Sequence, residues 1–442
     1  MELRDFIVTP LILMIVYACA YVLRPSITDS IIRKYFFPAL TLKIIGALAV
    51  GFVYQFYYHG GDTFNFHTHG SRIIWEAFWD SPIKWFRLLM NDQNLQGIYP
   101  YVTRISFYGD PASFEIVRLS ALLDMFTFSS YSATAVLFAV ISFIGSWMFF
   151  LVLYEQRPIL HRWTAIASFF IPSVFFWGSG ILKDTITLSC AAIVLYSTFY
   201  LFIKRKFSVL NVVLLFLGFY FLYKIKIYIL LILLPGIIVW VFLSVLDSIR
   251  SKVAKILVSP AVFGLAGFLA VTAFVKAGED NPKYSLGKIS ETAKVTAYDI
   301  RYWTGRDAGS GYTLGELDGS FESMFRLAPD AIVVSLFRPY LWEVSNPLML
   351  LSAIESLILL LSVVFILFKG NIRLFSAIWK PDTFFYLLFS LTFAFAVGVS
   401  TYNFGTLVRY KIPMLPFFVM ALVLINDQLN NFKKSSVLEA TE

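Results

Sequence analysis

Residues 59–70, HGGDTFNFHTHG, place one aspartate beside Gly60-Gly61 and gather three of the four histidines of the chain, directly after a long apolar run. A carboxylate at such a boundary can accept a proton from an attacking hydroxyl within hydrogen-bond reach, which makes Asp62 the candidate general base. The competing reading is a helix start, with Asp62 capping the turn that follows. His59, His67 and His69 match no standard metal-site spacing, and His67-x-His69 brings both rings to one face only in an extended segment. No metal site is assigned, although dependence on a divalent metal stays open. The three histidines are read instead as residues that orient Asp62 or bind an acceptor or phosphate group.

Cationic candidates are spread further along the chain. Lys183-Asp184 follows a Gly178-Ser179-Gly180 interruption and is either a self-neutralising pair or an anion contact positioned by its acid. Lys224 and Lys226 lie between two apolar runs with no acid close in sequence, so they either snorkel to headgroups or meet a buried anion. Arg409, in TLVRYKIPMLPFF, can fork on to phosphate oxygens. Arg338 opens RPYLWEVSNPL, which also holds Glu343, and Arg301 and Arg306 with Asp307 belong to a glycine-rich loop long enough to close over an acceptor. Lys183, Lys224, Lys226, Arg338 and Arg409 are the candidate phosphate ligands, with Asp184, Arg301 and Glu343 in orienting or acceptor-binding roles.

The elements that position these residues are membrane spans. Of 442 residues, 58% are hydrophobic and only 14% charged, against about 25% charged in soluble domains, and apolar runs of roughly 17–25 residues fit helices crossing a bilayer. The predicted fold is an all-α polytopic membrane protein with about eleven spans: 6–23, 36–58, 131–154, 163–180, 185–203, 207–222, 227–246, 254–275, 345–368, 382–399 and 411–426. The first is read as a retained helix, since it lacks a small-residue cleavage motif. No soluble domain, linker or repeat interrupts the chain, which points to a single transmembrane domain. Cys19 and Cys190 fall within apolar runs and read as small buried hydrophobes.

Alternate connections are short and basic, as the positive-inside rule requires of the cytoplasmic side. This puts the amino terminus outside, the carboxyl terminus in the cytoplasm, and the two long connections, 59–130 and 276–344, on the external face with Asp62 and the candidate cations. The net charge of +8 is distributed for membrane orientation, with no basic patch for nucleic acid. Within the first long connection, residues 71–90 with three tryptophans suit two interfacial helices broken at Ser81-Pro82; residues 329–340 suit another.

One carboxylate among scattered cations and aromatic rings suits a lipid-linked sugar phosphate whose glycosidic bond is broken as Asp62 activates an acceptor hydroxyl. The chain resembles multi-pass glycosyltransferases of the C-type fold that use polyprenyl-phosphate-linked sugars. The resemblance rests on Gly-Asp in the first large loop, PSVFFWGSGILKD at 172–184, RPYLWEVSNPL at 338–348 and RYKIPMLPF at 409–417. It implies Asp62 as catalytic base, a polyprenyl-phosphate sugar donor, an envelope glycan, lipid or protein as acceptor, no organic cofactor, and a place in a bacterial cytoplasmic membrane. One departure is that the family aspartate follows the first span, whereas Asp62 follows two apolar runs, so either a helix precedes the common core or residues 6–23 do not fully cross. Competing readings are a polymerase of diphosphate-linked repeat units clamped by Arg338 and Arg409, a transporter, and a noncatalytic subunit of a membrane complex.

Overall fold

The computed structural model describes residues 2–248, 251–281, 283, 285, 287–302, 310–370 and 372–439. Those residues are helical apart from turns, loops and one isolated bridge between Gly311 and Asn403. The first third of the chain contains α1 (Leu3–Ile27), α2 (Arg33–Phe52), α3 (Asp62–Phe66), α4 (Arg72–Asp80), α5 (Pro82–Leu89), α6 (Tyr99–Val102), α7 (Pro111–Thr127) and α8 (Tyr131–Gln156). The middle contains α9 (His161–Phe169), α10 (Pro172–Trp177), α11 (Lys183–Thr198), α12 (Val209–Ser248), α13 (Lys252–Asp280) and α14 (Ile289–Ile300). Next come α15 (Phe321–Arg326), α16 (Ala328–Phe337), α17 (Pro347–Lys369), α18 (Arg373–Ile378), α19 (Pro381–Thr401), α20 (Phe404–Tyr410) and α21 (Leu415–Glu439).

Among the described residues, seven helices are long and apolar enough to cross a membrane: Leu3–Ile27, Arg33–Tyr57, Tyr131–Gln156, Lys183–Ile203, Val209–Leu246, Pro347–Lys369 and Pro381–Thr401. The pair Phe404–Tyr410 and Leu415–Asn431, bent by 68°, makes an eighth if taken as one span. The expected count of about eleven is therefore overturned. Apolar length alone does not reveal where a run breaks. The run at 163–180 is divided into α9 and α10, because Pro172 lacks the N–H that would continue the helix. The runs at 207–222 and 227–246 are joined at Lys226 in α12, the run at 254–275 lies in α13, which is not among the seven, and the run at 411–426 enters the bent pair.

Within α12 the backbone leaves helical geometry at Lys226, with φ −144° and ψ 77°. Three contacts with α11 fix the path on either side. Gly218 packs against Cys190 and Val194, Lys226 reaches Asp184 at the start of α11, and Trp240 stacks on Phe199 just past its end, with centroids 6.1 Å apart. The chain thus runs up α11 to Lys226 and back down, and the one position that must sit at the apex carries the buried lysine.

α1 is a full-length helix, so a helix does precede the span that leads to Asp62. Its first residues lie on the same side as Asp62. The Asp5 carboxylate accepts from Ser130 Oγ at 2.7 Å, at the start of α8, while Thr63 and Tyr131 share a 2.7 Å hydrogen bond nearby. At the opposite face Asp382 accepts from Trp240 Nε1 at 2.9 Å and Gln156 Nε2 at 3.2 Å. The helices α4 and α5 meet at the extended Ser81 with Pro82 opening the second, as the sequence leads one to expect. The element expected over 329–340 forms as α16 and packs along α19, where a Cβ at Gly398 would strike the Ala331 carbonyl and Ser335 Oγ donates to the Ala394 carbonyl at 2.7 Å.

Candidate functional site

Asp62 owes its position to a sharp reversal. After α2 a π-helical turn, Val53–Tyr57, delivers Tyr54, and His59, Gly60 and Gly61 then all have positive φ, at 54°, 134° and 120°. Gly61 is required twice over, since a Cβ there would also lie 2.9 Å from the Tyr54 ring. Gly61 occupies the cap position of α3 and Asp62 its first turn, so the capping role weighed for Asp62 is not the one its side chain takes.

Instead the Asp62 Oδ2 accepts from an Arg409 terminal nitrogen at 2.7 Å, and the same nitrogen donates to the Tyr54 hydroxyl at 3.2 Å. Arg409 Nε donates to Asp184 Oδ2 at 2.6 Å, and the other Asp184 oxygen accepts from Lys226. Asp184 is wholly buried, whereas the Asp62 side chain is 43% exposed. A buried carboxylate thus anchors two cations, and the guanidinium of one of them carries a second, accessible carboxylate at its rim. Without that acid Lys226 would lose its carboxylate partner and Arg409 would keep only the exposed one, Asp62.

Lys183 extends the cluster. Its ammonium pairs with Asp110 at 3.3 Å. Burial pushes Asp110 up, but the Ser113 hydroxyl and the nearby Lys183 charge outweigh it and hold the carboxyl below its ordinary value. Three carboxylates (Asp62, Asp110, Asp184) and three cations (Lys183, Lys226, Arg409) therefore balance, and the cations expected to wait for phosphate are already partnered.

The cluster edges a cavity of about 820 Å³, within the roughly 300–1,000 Å³ range of small-ligand sites. Its walls include Tyr54, Tyr58, Phe176, Trp177, Phe404 and Tyr410, with Asp62 and Arg409 on one side and Glu355 on another. Tyr57 and Leu351 also line it, yet are 51% and 60% exposed. The cavity thus opens sideways between the end of the Arg33–Tyr57 span and α17, on apolar surface. The second long connection contributes Ile300 and Ser310, the latter held by a 3.0 Å hydrogen bond from Asn403 Nδ2.

Other expected residues lie apart from this cluster. Lys224, two residues before the apex of α12, is exposed. Arg338 is forked on to Glu343, with Nε 3.0 Å from both carboxylate oxygens, and lies over the Phe404 and Tyr312 rings at 5.2 and 5.8 Å. Burial raises the Glu343 carboxyl, but the Arg338 hydrogen bond and the Tyr340 N–H more than offset this and leave it lowered. Arg301 is exposed at the end of α14, and Arg306 and Asp307 lie outside the described residues.

The three histidines diverge. His59 and His69 are exposed, whereas His67 is buried with Nε2 3.3 Å from Asp124, whose carboxylate also accepts from Ser71 and Thr134 at 2.7 Å each. The His67–Asp124 separation lacks hydrogen-bond geometry. Among the described residues no group of three or more His, Cys, Asp or Glu side chains is placed to hold a metal ion.

Glu355, in the midst of the apolar run LMLLSAIESLILLL, is a cavity residue that the reading of the sequence passed over. Its signal was available, since an ionisable residue inside a span is costly and marks a functional position by default. Lys411, expected on the same face as Arg409, is buried and donates to Ser356 Oγ at 3.2 Å. The geometry defines a polytopic α-helical membrane protein with a charge-balanced polar cluster on a laterally open cavity. No family model, curated protein or solved structure matches the chain.

Proposed function

We propose that the protein is a membrane glycosyltransferase that moves a sugar from a polyprenyl-phosphate donor to an envelope glycan, lipid or protein acceptor, with Asp62 as general base. The observation that carries this reading is the Arg409 guanidinium held between buried Asp184 and half-exposed Asp62 at the cavity edge. The Asp184 contact fixes Arg409 in place, while the Asp62 contact is the one that solvent, and therefore an anionic ligand, reaches. A donor phosphate entering the cavity takes that exposed face of Arg409 and releases Asp62 from its ion pair. The acceptor hydroxyl then attacks the anomeric carbon, Asp62 takes its proton, and the sugar–phosphate C–O bond breaks with its electron pair on the leaving phosphate. Arg409 offsets the charge that develops there. The sideways opening suits entry of a prenyl chain, and the aromatic walls suit a sugar ring.

The test is Asp62→Asn in purified protein supplied with a radiolabelled polyprenyl-phosphate sugar and membrane-extracted acceptor. Turnover is expected to vanish while donor binding and thermal stability persist. Turnover equal to that of the unaltered protein would overturn the assignment. The alternative polymerase clamp draws less support, because Arg338 is committed to Glu343 and does not share the cavity edge with Arg409.

A further inference from the structure

The cavity has a second polar lobe, built on α17. Glu355 is 7% exposed and Ser352, three residues earlier on the same face of the helix, is 3% exposed; both line the cavity. They lie in the second and third turns of the helix, Glu355 about 12 Å from its start at roughly 1.5 Å per residue. Ser173, also in the wall, donates to Glu355 from its backbone N–H at 3.0 Å and from its hydroxyl at 2.8 Å. These bonds use one acceptor position on each carboxylate oxygen, and a carboxylate has about four.

The Ser173 contacts give Glu355 a role in joining α17 to α10, but leave Ser352 unexplained. Its hydroxyl is buried and has no hydrogen-bond partner among the described residues. Buried hydroxyls are generally satisfied because leaving one unpaired costs free energy. The lobe therefore has one unmatched hydroxyl and spare carboxylate acceptors side by side, next to an open volume.

The geometry points to an acceptor subsite at Glu355 and Ser352, which binds a hydroxyl-bearing sugar or polyol group; this rests on the transferase reading of the cavity. Charge selects hydroxyl over ammonium. Buried Lys411 donates to Ser356, the residue next to Glu355, at 3.2 Å, so the lobe already has a cationic side chain beside it. A neutral donor completes the lobe without adding a second cation. Trp177 and Phe176, in the same wall, add aromatic surface beside the lobe.

The test uses the full chain in lipid nanodiscs, titrated with octyl β-glucoside below its micellar concentration and, separately, with octylammonium. Binding of the glucoside in preference to octylammonium is expected. Ser352→Ala should weaken glucoside binding about 3- to 10-fold, the loss of one hydrogen bond, while leaving the melting temperature of the unliganded protein the same or higher. Glu355→Gln should weaken binding at least as much, and Ser173→Ala should retain it. Unchanged glucoside affinity in Ser352→Ala, or preference for octylammonium, overturns the subsite. The readout is binding alone, so its failure is distinct from failure of the transferase reading, which is measured as turnover by Asp62→Asn.

Discussion

Arg409 and Asp184, 225 residues apart in the chain, meet through a 2.6 Å hydrogen bond from Nε to Oδ2 behind the cavity edge that Arg409 lines. Asp184 is the pivot of the polar cluster, since it also accepts from Lys226 and has no exposure of its own. Removing it leaves two cations without their buried counter-charge. Asp184→Ala is expected to destabilise the protein by about 3–5 kcal/mol, the typical cost of breaking a buried pair from one side. Thermal unfolding in detergent checks this, and a melting temperature unchanged from the parent would show that the cluster does not hold the fold.

Arg409→Lys tests the fork rather than the charge. A lysine ammonium is a single point on a flexible stem and cannot present two separate nitrogens to Asp62 and Asp184 in fixed geometry. Donor turnover is expected to fall by about 10-fold or more, in line with about 1.5–3 kcal/mol for a hydrogen bond to a charged group. Rates under saturating donor measure it; parity with the parent would mean that charge alone suffices.

Acid should loosen the Arg338–Glu343 corner in a defined window. The Glu343 carboxyl is lowered from its ordinary value of 4.5. A depressed folded-state value means that the stabilisation is fully present above the unfolded value and is lost as pH falls through the folded one. Melting temperatures of the parent and Glu343→Gln, compared from pH 6 downwards, should differ most above about pH 4.5 and converge below it. A difference that grows on acidification would reverse the sign and refute the pairing.

Gly46 is where α2 and α10 touch. A Cβ there would run into the Phe175 carbonyl, which belongs to backbone rather than to a side chain that can swing aside. Gly46→Val is expected to cost about 1–3 kcal/mol by overpacking and to reduce turnover as well, because α10 carries the Ser173 and Trp177 walls. The paired measurement is melting temperature with donor turnover; a neutral result in both would mean that α10 shifts freely.

Local chemistry made part of this molecule legible in advance. Apolar runs marked the membrane helices because each helix satisfies its own backbone within a stretch of sequence. Ser81-Pro82 marked the break between α4 and α5, since proline opens a helix and cannot continue one. The charged pair at Lys183-Asp184 and the double glycine before Asp62 marked turns at span ends. The number of crossings was not legible, because hydropathy does not distinguish a break such as Phe170–Ile171 from a continuous span. Glu355 was legible as a charge inside an apolar run, yet its meaning lay in Ser173, 182 residues away.

The sequence by itself determined that the protein is helical and membrane-spanning, and that its polar candidates sit mostly at the ends of apolar runs. Only the tertiary structure decided which of them meet. Asp62, Asp184, Lys226 and Arg409 come from four separate elements and join because two cations near a buried carboxylate must share it, whereas Arg338 pairs with Glu343 and Lys224, His59 and His69 lie exposed. Ion pairing depends on distance in space, and a linear sequence records only distance along the chain.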